Sequence, residues 1–381
     1  MQSLKLKNLP PYLFADLDKK RSALIKKGVD IIDLSIGDPD LPTPSHIVKA
    51  CSRAVTVETG THRYPPYKGT SELRSAAAGY LKRLRGVNVE PENEVLALVG
   101  SKEGIAHAIF ALINPGDVVL VPSPGYPVYS NVTLLAGGVP CEMPLKKSNN
   151  FLPDFGAIPK ASLKKARLMF LNYPNNPTSA VATKEFFAEA VEFAKKNNIM
   201  ICHDAAYIEV AYDGYKAPSI LEVNGAFDCA IEFHSFSKTY NMTGWRLGFA
   251  AGNSHAVAAL GKFKTHIDSS ATAFVQHAGA VALNEDQRCV FDLCAVYKKR
   301  RDILCDALEK AGWLLERPRA TFYVWAEPPQ KKDYVSLLLE KAYIISTPGE
   351  GFGSHGKGFI RFSLTSPTDR IEEAAKRIVG I

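Results

Sequence analysis

The 381-residue chain contains no stretch of ~18 uninterrupted apolar residues, so hydropathy offers no membrane-spanning helix. Residues 1–11 alternate Leu and Lys, end on Pro10-Pro11, and lack the apolar core of a secretory signal. The seven cysteines (Cys51, Cys141, Cys202, Cys229, Cys289, Cys294 and Cys305) are odd in number and show no C-x-x-C spacing. That argues against a disulfide frame and against a zinc site, and it fits reduced, buried thiols. These absences lead to the expectation of a soluble, cytoplasmic protein. Repeats and low-complexity segments are also missing. The formal net charge is +7, but the basic residues are scattered pairs such as Lys146-Lys147 and Lys331-Lys332 plus the short run Lys298-Lys299-Arg300-Arg301. They are not interleaved with aromatics in one block, so neither nucleic acid nor a membrane is the expected partner. A mild positive field would instead favour dicarboxylate substrates.

What is present is globular: 46% hydrophobic and 22% charged residues, in a length that suits two domains. Short β-branched apolar runs alternate with longer helical patterns, which predicts an α/β fold with a mostly parallel sheet. The strand runs are residues 94–99, 118–121, 168–171, 199–203, 229–233 and 247–251, with helical patterns over 102–112 and 184–197. Thr183 suits an N-cap and Asn197-Asn198 a stop. This core is expected over residues 46–280. A long charged helix over 287–311, strand signals at 321–326 and 359–364, and a last helix from Pro367 predict a smaller α+β domain over 281–381. Residues 1–45 are too short and Pro-rich to fold alone and are expected to form an arm packing with that smaller domain.

The most informative stretch is Ser235-Phe236-Ser237-Lys238-Thr239-Tyr240-Asn241-Met242-Thr243-Gly244-Trp245-Arg246-Leu247-Gly248. One lysine lies among hydroxyls, with an arginine and glycines after it and apolar runs on both sides. A lysine that forms a Schiff base must be held still and partly desolvated, so that some of it is uncharged near neutral pH. Ser235, Ser237 and Arg246 supply what a phosphate monoester needs: short hydroxyl donors and a planar guanidinium. Gly100-Ser101-Lys102-Glu103-Gly104 joins a strand to a helix, and a helix start is an anion site. That turn has neither dinucleotide nor triphosphate spacing. Asp204 follows a strand, where α/β proteins place ligands.

These motifs resemble the fold-type I pyridoxal-phosphate aminotransferases, from end to end of the chain. The resemblance implies a large domain with a mostly parallel sheet sandwiched by helices, plus a smaller α+β domain. It implies pyridoxal 5'-phosphate as cofactor, no metal, and Lys238 as the catalytic Schiff-base residue. Asp204 would pair with the protonated pyridine nitrogen, and Tyr207 would donate to the ring O3′. Asn176, in Asn172-Tyr173-Pro174-Asn175-Asn176-Pro177-Thr178, would bond O3′ and help hold the substrate carboxylate. Ser179 stands where the family has glycine. Tyr126, in Pro124-Gly125-Tyr126-Pro127-Val128-Tyr129, would stack on the ring. Ser101, Lys102, Ser235, Ser237 and Arg246 would hold the phosphate. Arg361 would clamp the α-carboxylate, bidentate geometry being the reason for arginine over lysine. Gly37 would let the backbone approach that carboxylate. Tyr64 matches a tyrosine that reaches the phosphate of the neighbouring subunit, which implies a homodimer with shared active sites.

Within the family, the chain is most similar to the LL-diaminopimelate aminotransferase group. The runs that carry this include Leu9-Pro10-Pro11-Tyr12-Leu13-Phe14, Ile36-Gly37-Asp38-Pro39-Asp40-Leu41-Pro42, His203-Asp204-Ala205-Ala206-Tyr207 and Phe233-His234-Ser235-Phe236-Ser237-Lys238. Ser270-Ala271-Thr272 departs from it, replacing a Gly-containing stretch. The resemblance implies that LL-diaminopimelate and 2-oxoglutarate exchange an amino group, giving L-2,3,4,5-tetrahydrodipicolinate and glutamate by ping-pong kinetics, with Lys238 carrying the α-proton. An alanine- or aspartate-type aminotransferase, a β-lyase acting on cysteine conjugates, and a cofactor-binding regulatory domain are the alternatives.

Overall fold

The structure is a computed structural model that describes residues 3–7, 9, 15–330 and 332–381. The sequence signals at Pro10 to Phe14 and at Lys331 therefore lie outside the described residues, as do Met1, Gln2 and Asn8.

Thirteen strands occur among the described residues. In chain order they are β1 (Ile32–Asp33), β2 (Val95–Leu98), β3 (Val118–Ser123), β4 (Val139–Pro144), β5 (Ala166–Leu171), β6 (Met200–Asp204), β7 (Ala230–Ser235) and β8 (Gly248–Gly252). Then follow β9 (Leu314–Leu315), β10 (Tyr323–Glu327), β11 (Ile344–Ile345), β12 (Thr347–Pro348) and β13 (Ile360–Ser363). A seven-stranded sheet runs β2-β8-β7-β6-β5-β3-β4. Its strands from β7 through β6, β5 and β3 to β4 pair in parallel, while β8 is antiparallel to both β7 and β2. β7 and β8 are buried along their whole length, and β5 and β6 are buried apart from Arg167 and Met200 near their starts, as strands covered on both faces must be.

Helices cover this sheet on both sides, and local chemistry sets their ends. The helix Lys184–Asn197 begins at Thr183, whose side chain accepts from the Phe186 N–H, and stops at Asn198 with φ +54. The helix Ser101–Leu112 begins after Gly100, whose φ of +80 only glycine adopts without strain. Packing against one face builds a core that includes Leu73, Tyr80, Phe187, Phe236 and Phe249. The other face builds a second, with Ile105, Ile109, Tyr129, Phe170 and Phe233.

A four-stranded antiparallel sheet runs β12-β13-β10-β9. The helices Arg288–Lys310 and Thr368–Val379 pack together, and Leu304, Leu308, Ile371 and Ile378 join one core with Phe362 of this sheet and Phe322 just before β10. Ile32 and Leu34 enter the same core, because β1 pairs in parallel with β11. Tyr207 and Val210, just after β6, also pack there. The segment leaving the large sheet at Asp204 is therefore gripped by the smaller one, and the Lys238 region and Arg361 are brought face to face. The stretch Gly351-Phe352-Gly353-Ser354-His355-Gly356 has glycine spacing reminiscent of a dinucleotide loop. It forms two short 3-10 turns after β12, with no strand-to-helix turn, so it makes no phosphate cradle.

Candidate active site

The site is built at the ends of β6 and β7. Asp204 is the last residue of β6 and is buried. Its Oδ2 accepts from the Tyr129 hydroxyl at 2.7 Å, and its Oδ1 from the Ala206 N–H at 3.3 Å. Burial pushes its carboxyl above the usual range, against the two hydrogen bonds and the nearby His203 and His234. Among the described residues no cation pairs with it directly. A buried carboxylate without a cationic partner suits a pyridinium N–H, which would satisfy it. Tyr207, also buried, lies with its hydroxyl 3.1 Å from that of Tyr323, and burial raises its pKa well above the usual phenol value.

Ser235 ends β7, and its side chain caps the one-turn helix Phe236–Thr239 by accepting from the Ser237 N–H. Lys238 lies on that turn. Its Nζ donates to the Gly37 carbonyl at 2.8 Å and sits 5.5 Å over the Phe322 ring. Burial pushes its pKa down to about 8. Asp38 opposes that shift, while the charges of Arg246 and Arg361 reinforce it. An amine near 8 is partly unprotonated at neutral pH, as a carbonyl-capturing lysine must be.

The residues expected to hold a phosphate lie on three segments, of which those at Ser101 and Arg246 meet. Arg246, at φ +55, is anchored by donation from NH1 to the Thr243 carbonyl at 2.8 Å. A Cβ built on Gly100 would lie 2.5 Å from the Arg246 guanidinium, and one on Gly248 only 2.9 Å from the Ser101 N–H nitrogen. Backbone, guanidinium and helix start thus close on one another without side chains between them, a cradle for a phosphate. Lys102 is exposed.

Arg361, on β13, is buried. Its NH1 donates to Asn176 Oδ1 at 2.8 Å and its NH2 to the Ser35 carbonyl at 2.6 Å. The guanidinium lies over Tyr323 (4.1 Å) and Phe352 (4.7 Å). Its Nε is buried with no partner, an unmet donor that a substrate carboxylate would satisfy. Gly37 is required for a reason the sequence did not show: a Cβ there would meet the Tyr323 hydroxyl at 1.9 Å. Tyr126, before the helix Val128–Leu135, stands edge-on to Tyr129, and burial with Asp204 nearby pushes its pKa up to about 12.

The loop after β5 holds Asn176 through Asn172, whose Oδ1 accepts from the Asn176 N–H at 2.8 Å. Ser179 adopts φ +60, the left-handed conformation glycine would take freely. Its hydroxyl is within 2.8 Å of both Thr321 Oγ1 and the Tyr323 carbonyl, so side-chain bonds offset the strain. Ser270 is likewise left-handed at φ +71, with its N–H bonded to Asp268 Oδ1 at 2.7 Å.

Gly37, Asn176, Asp204, Tyr207, Lys238 and Arg361 are thus tied into one cleft. Tyr64 is not: it is 89% exposed. Two site residues escaped the sequence reading. Tyr129 follows Tyr126 by one helical turn and donates to Asp204. Tyr323 alternates inward on a predicted strand and touches both Tyr207 and the Arg361 guanidinium.

Comparison with known proteins agrees with this geometry. The family model described as aminotransferase class I and II matches residues 29–378. LL-diaminopimelate aminotransferase from Desulforudis audaxviator is 51% identical over 383 residues, covering 100% of this chain and 97% of that protein. The LL-diaminopimelate aminotransferase of Aquifex aeolicus is 51% identical over 380 residues, covering 99% and 98%. Among solved structures, substrate-bound BacF from Bacillus subtilis superposes with a TM-score of 0.94 at 40% identity, covering 100% of this chain and 97% of that one. The family model and these full-length relatives show that the chain belongs to the class I and II aminotransferases, enzymes dependent on pyridoxal 5'-phosphate.

Proposed function

We propose that this chain is an LL-diaminopimelate:2-oxoglutarate aminotransferase, acting in lysine biosynthesis. The observation that carries the substrate assignment is full-length likeness, at about half identity, to several proteins named for that activity.

When bound, pyridoxal 5'-phosphate supplies an electron sink for the bonding pair left at the substrate α-carbon. The chain's residues do the rest. Asp204 would hold the ring nitrogen protonated, and Tyr129 would orient its carboxylate. Tyr207 and Asn176 would bond the ring oxygen, and Tyr126 would stack on the ring face. Ser101, Lys102, Ser235, Ser237 and Arg246 would fix the phosphate. Arg361, presented by Asn176 and the Ser35 carbonyl, would clamp the α-carboxylate beside Gly37. Lys238 would accept the α-proton at Nζ and return it to the neighbouring carbon, its lowered pKa suiting both directions near neutral pH.

A diaminopimelate donor carries a second carboxylate and ammonium, and the distal head needs its own donors and acceptors. Residues 266–272 of a second copy would supply them, joined by Lys102 if the cofactor phosphate does not consume it. Tyr64 at 89% exposure, with Val48, Val55, Val57, Tyr67 and Ile267 exposed as well, supports a homodimer in which Tyr64 completes the neighbour's phosphate site. Residues 46–280 would form the cofactor-binding domain and 281–381 the smaller one, with residues 1–45 as an arm. The pairing of β1 with β11 supports that division. Seven unpaired cysteines support a cytoplasmic setting. Among the described residues no helix is long and apolar enough to cross a membrane.

An alanine- or aspartate-type enzyme is the second reading, favoured by likeness to the aspartate aminotransferase of Thermotoga maritima, TM-score 0.90 at 31% identity. Incubating the loaded protein with LL-diaminopimelate and 2-oxoglutarate tests the proposal. Glutamate must form. Pyruvate and ammonia released from a cysteine conjugate without an acceptor would mark a lyase instead.

A further inference from the structure

Beneath the site lies a buried ionic cluster that none of the assigned roles uses. Glu232 sits in the middle of β7 and is fully buried. His234 is two residues on, so both point to one face of the strand. His203 is the cross-strand partner of Glu232 on β6. Glu232 accepts four kinds of donor. His203 Nδ1 lies 2.8 Å from its Oε2, and His234 Nε2 lies 2.8 Å from its Oε1. The Ser219 hydroxyl reaches both oxygens, at 2.8 and 2.9 Å, and the Ile220 N–H reaches Oε2 at 3.0 Å.

The second nitrogen of His203 matters most. Its Nε2 lies 3.0 Å from the Tyr173 carbonyl, which can only accept. With a carboxylate at one nitrogen and a carbonyl at the other, both ring nitrogens must carry hydrogen. Burial alone would raise the Glu232 carboxyl. The hydrogen bonds and charges of His203 and His234 outweigh it and hold the group well below the usual carboxylate range. The hydrogen-bond geometry thus calls for an imidazolium against a carboxylate, sealed from water, with the Phe187 ring against His203 and the Phe249 ring stacked on His234.

Each arm of the cluster ends next to a residue of the cleft. His203 directly precedes Asp204. His234 directly precedes Ser235, the cap of the Lys238 turn. Tyr173 belongs to the loop that carries Asn176. Asn172 straps the same pieces from the other side, donating to the Asp204 carbonyl at 2.8 Å while receiving the Asn176 N–H.

We propose that Glu232 is the positioning residue of this cofactor site: with His203 as a doubly protonated imidazolium and with His234, it holds in register the three segments that present Asp204, Asn176 and Ser235-to-Lys238. The inference rests on the aminotransferase reading of the cleft. Glu232 touches neither cofactor nor substrate and acts through its neighbours. Its two histidines leave the cluster a net positive charge or none, so it does not oppose the buried Asp204.

Two measurements on the full-length protein test it. The first is nitrogen NMR of the holoenzyme labelled with 15N-histidine, with His203 assigned by the loss of its signals in His203→Gln. Both His203 nitrogens should be protonated at neutral pH; a neutral tautomer overturns the proposal, whatever the behaviour of variants. The second is Glu232→Gln, which keeps shape but removes the charge. Apoprotein of this variant should bind pyridoxal 5'-phosphate at least tenfold more weakly than wild type, and the visible circular dichroism of the bound cofactor should change. Cys202→Ala, a truncation on the opposite face of β6, controls for general destabilisation and should change neither. Unchanged affinity and dichroism in Glu232→Gln would overturn the proposal. If Glu232→Gln does not fold, the NMR result decides alone. Wild-type apoprotein that fails to bind the cofactor would instead sink the aminotransferase reading, and the proposal with it.

Discussion

The floor of the cleft and its rim are built on opposite principles. On the floor, Asp204, Asn176, Ser237 and Arg361 are each buried, and most of their polar atoms are bonded within one chain. At the rim, Tyr64, Ile267 and Lys102 stand exposed. The floor is preorganised, and exclusion of water there raises the Asp204 carboxyl and lowers the Lys238 amine. The rim is where the proposed second copy would pack. On the proposed reading, chemistry common to the family would belong to the floor and choice of substrate to the rim. A mutation on the floor should therefore change rate, and one at the rim should change affinity or selectivity.

The largest expected effect is at the centre of the floor. Lys238→Ala should retain the cofactor but lose at least about a thousandfold in kcat, since no other base stands at that position. Borohydride reduction of wild type followed by peptide mapping should place the label on Lys238; a label on a different lysine would contradict the assignment.

The next effect tests why the floor is reactive. In apoprotein, burial lowers the Lys238 pKa from the ordinary lysine value to about 8. The folded state then binds fewer protons than the unfolded state between about 8 and 10.5, so stability rises with pH across that window. At neutral pH the buried ammonium costs at most about 3 kcal/mol, from ~1.4 kcal/mol per unit. Apo Lys238→Met should be more stable than apo wild type at pH 7, with the gap narrowing towards pH 10. Denaturant titrations at the two pH values measure it, and a gap that does not narrow would show that the lysine is well solvated.

The rim gives a smaller, different signature. Tyr64→Phe should weaken cofactor affinity by the value of one hydrogen bond to a charged acceptor, ~1–3 kcal/mol, with melting temperature unchanged. Mixing it with Lys238→Ala chains should restore part of the activity, because a mixed dimer contains one intact site. An active monomer in sedimentation at assay concentration would refute the shared site. Smallest is Ser179→Gly, which relieves a left-handed serine but deletes its bonds to Thr321 and Tyr323. These contributions oppose one another, and stability should change by less than about 1 kcal/mol. A larger loss would mean that the hydroxyl positions the loop that carries Asn176.

The same contrast decides what could be read from sequence. Elements with strong periodicity were legible: the helix Lys184–Asn197 and its Thr183 cap come directly from pattern and capping chemistry. Strand β4 was not, because its alternating Val139-Pro140-Cys141-Glu142-Met143-Pro144 carries two prolines. Such a strand is tolerated only at a sheet edge, where β4 lies. The antiparallel run of β8 left no trace, since strand direction is set by the path of the chain and not by its side chains. In the site, residues that announce a chemical role were found. Those that act by packing or second contact were not. Tyr323 is visible only once β10 places it against Gly37. Glu232 was hidden inside a run read as an apolar strand, because the histidines that satisfy it come from two strands.

Recognition of the distal head would decide the donor. In the proposed role Arg361 would clamp only the reacting head of diaminopimelate, and a site that pairs the distal head leaves buried polar groups unmet when that head is missing. Steady-state kcat/KM for LL-diaminopimelate, alanine and aspartate, each with 2-oxoglutarate as acceptor, is the most direct test. LL-diaminopimelate should exceed the other two by at least about a hundredfold, roughly 2.7 kcal/mol of discrimination. Alanine or aspartate turning over as well as LL-diaminopimelate would contradict the substrate assignment and leave a general aminotransferase.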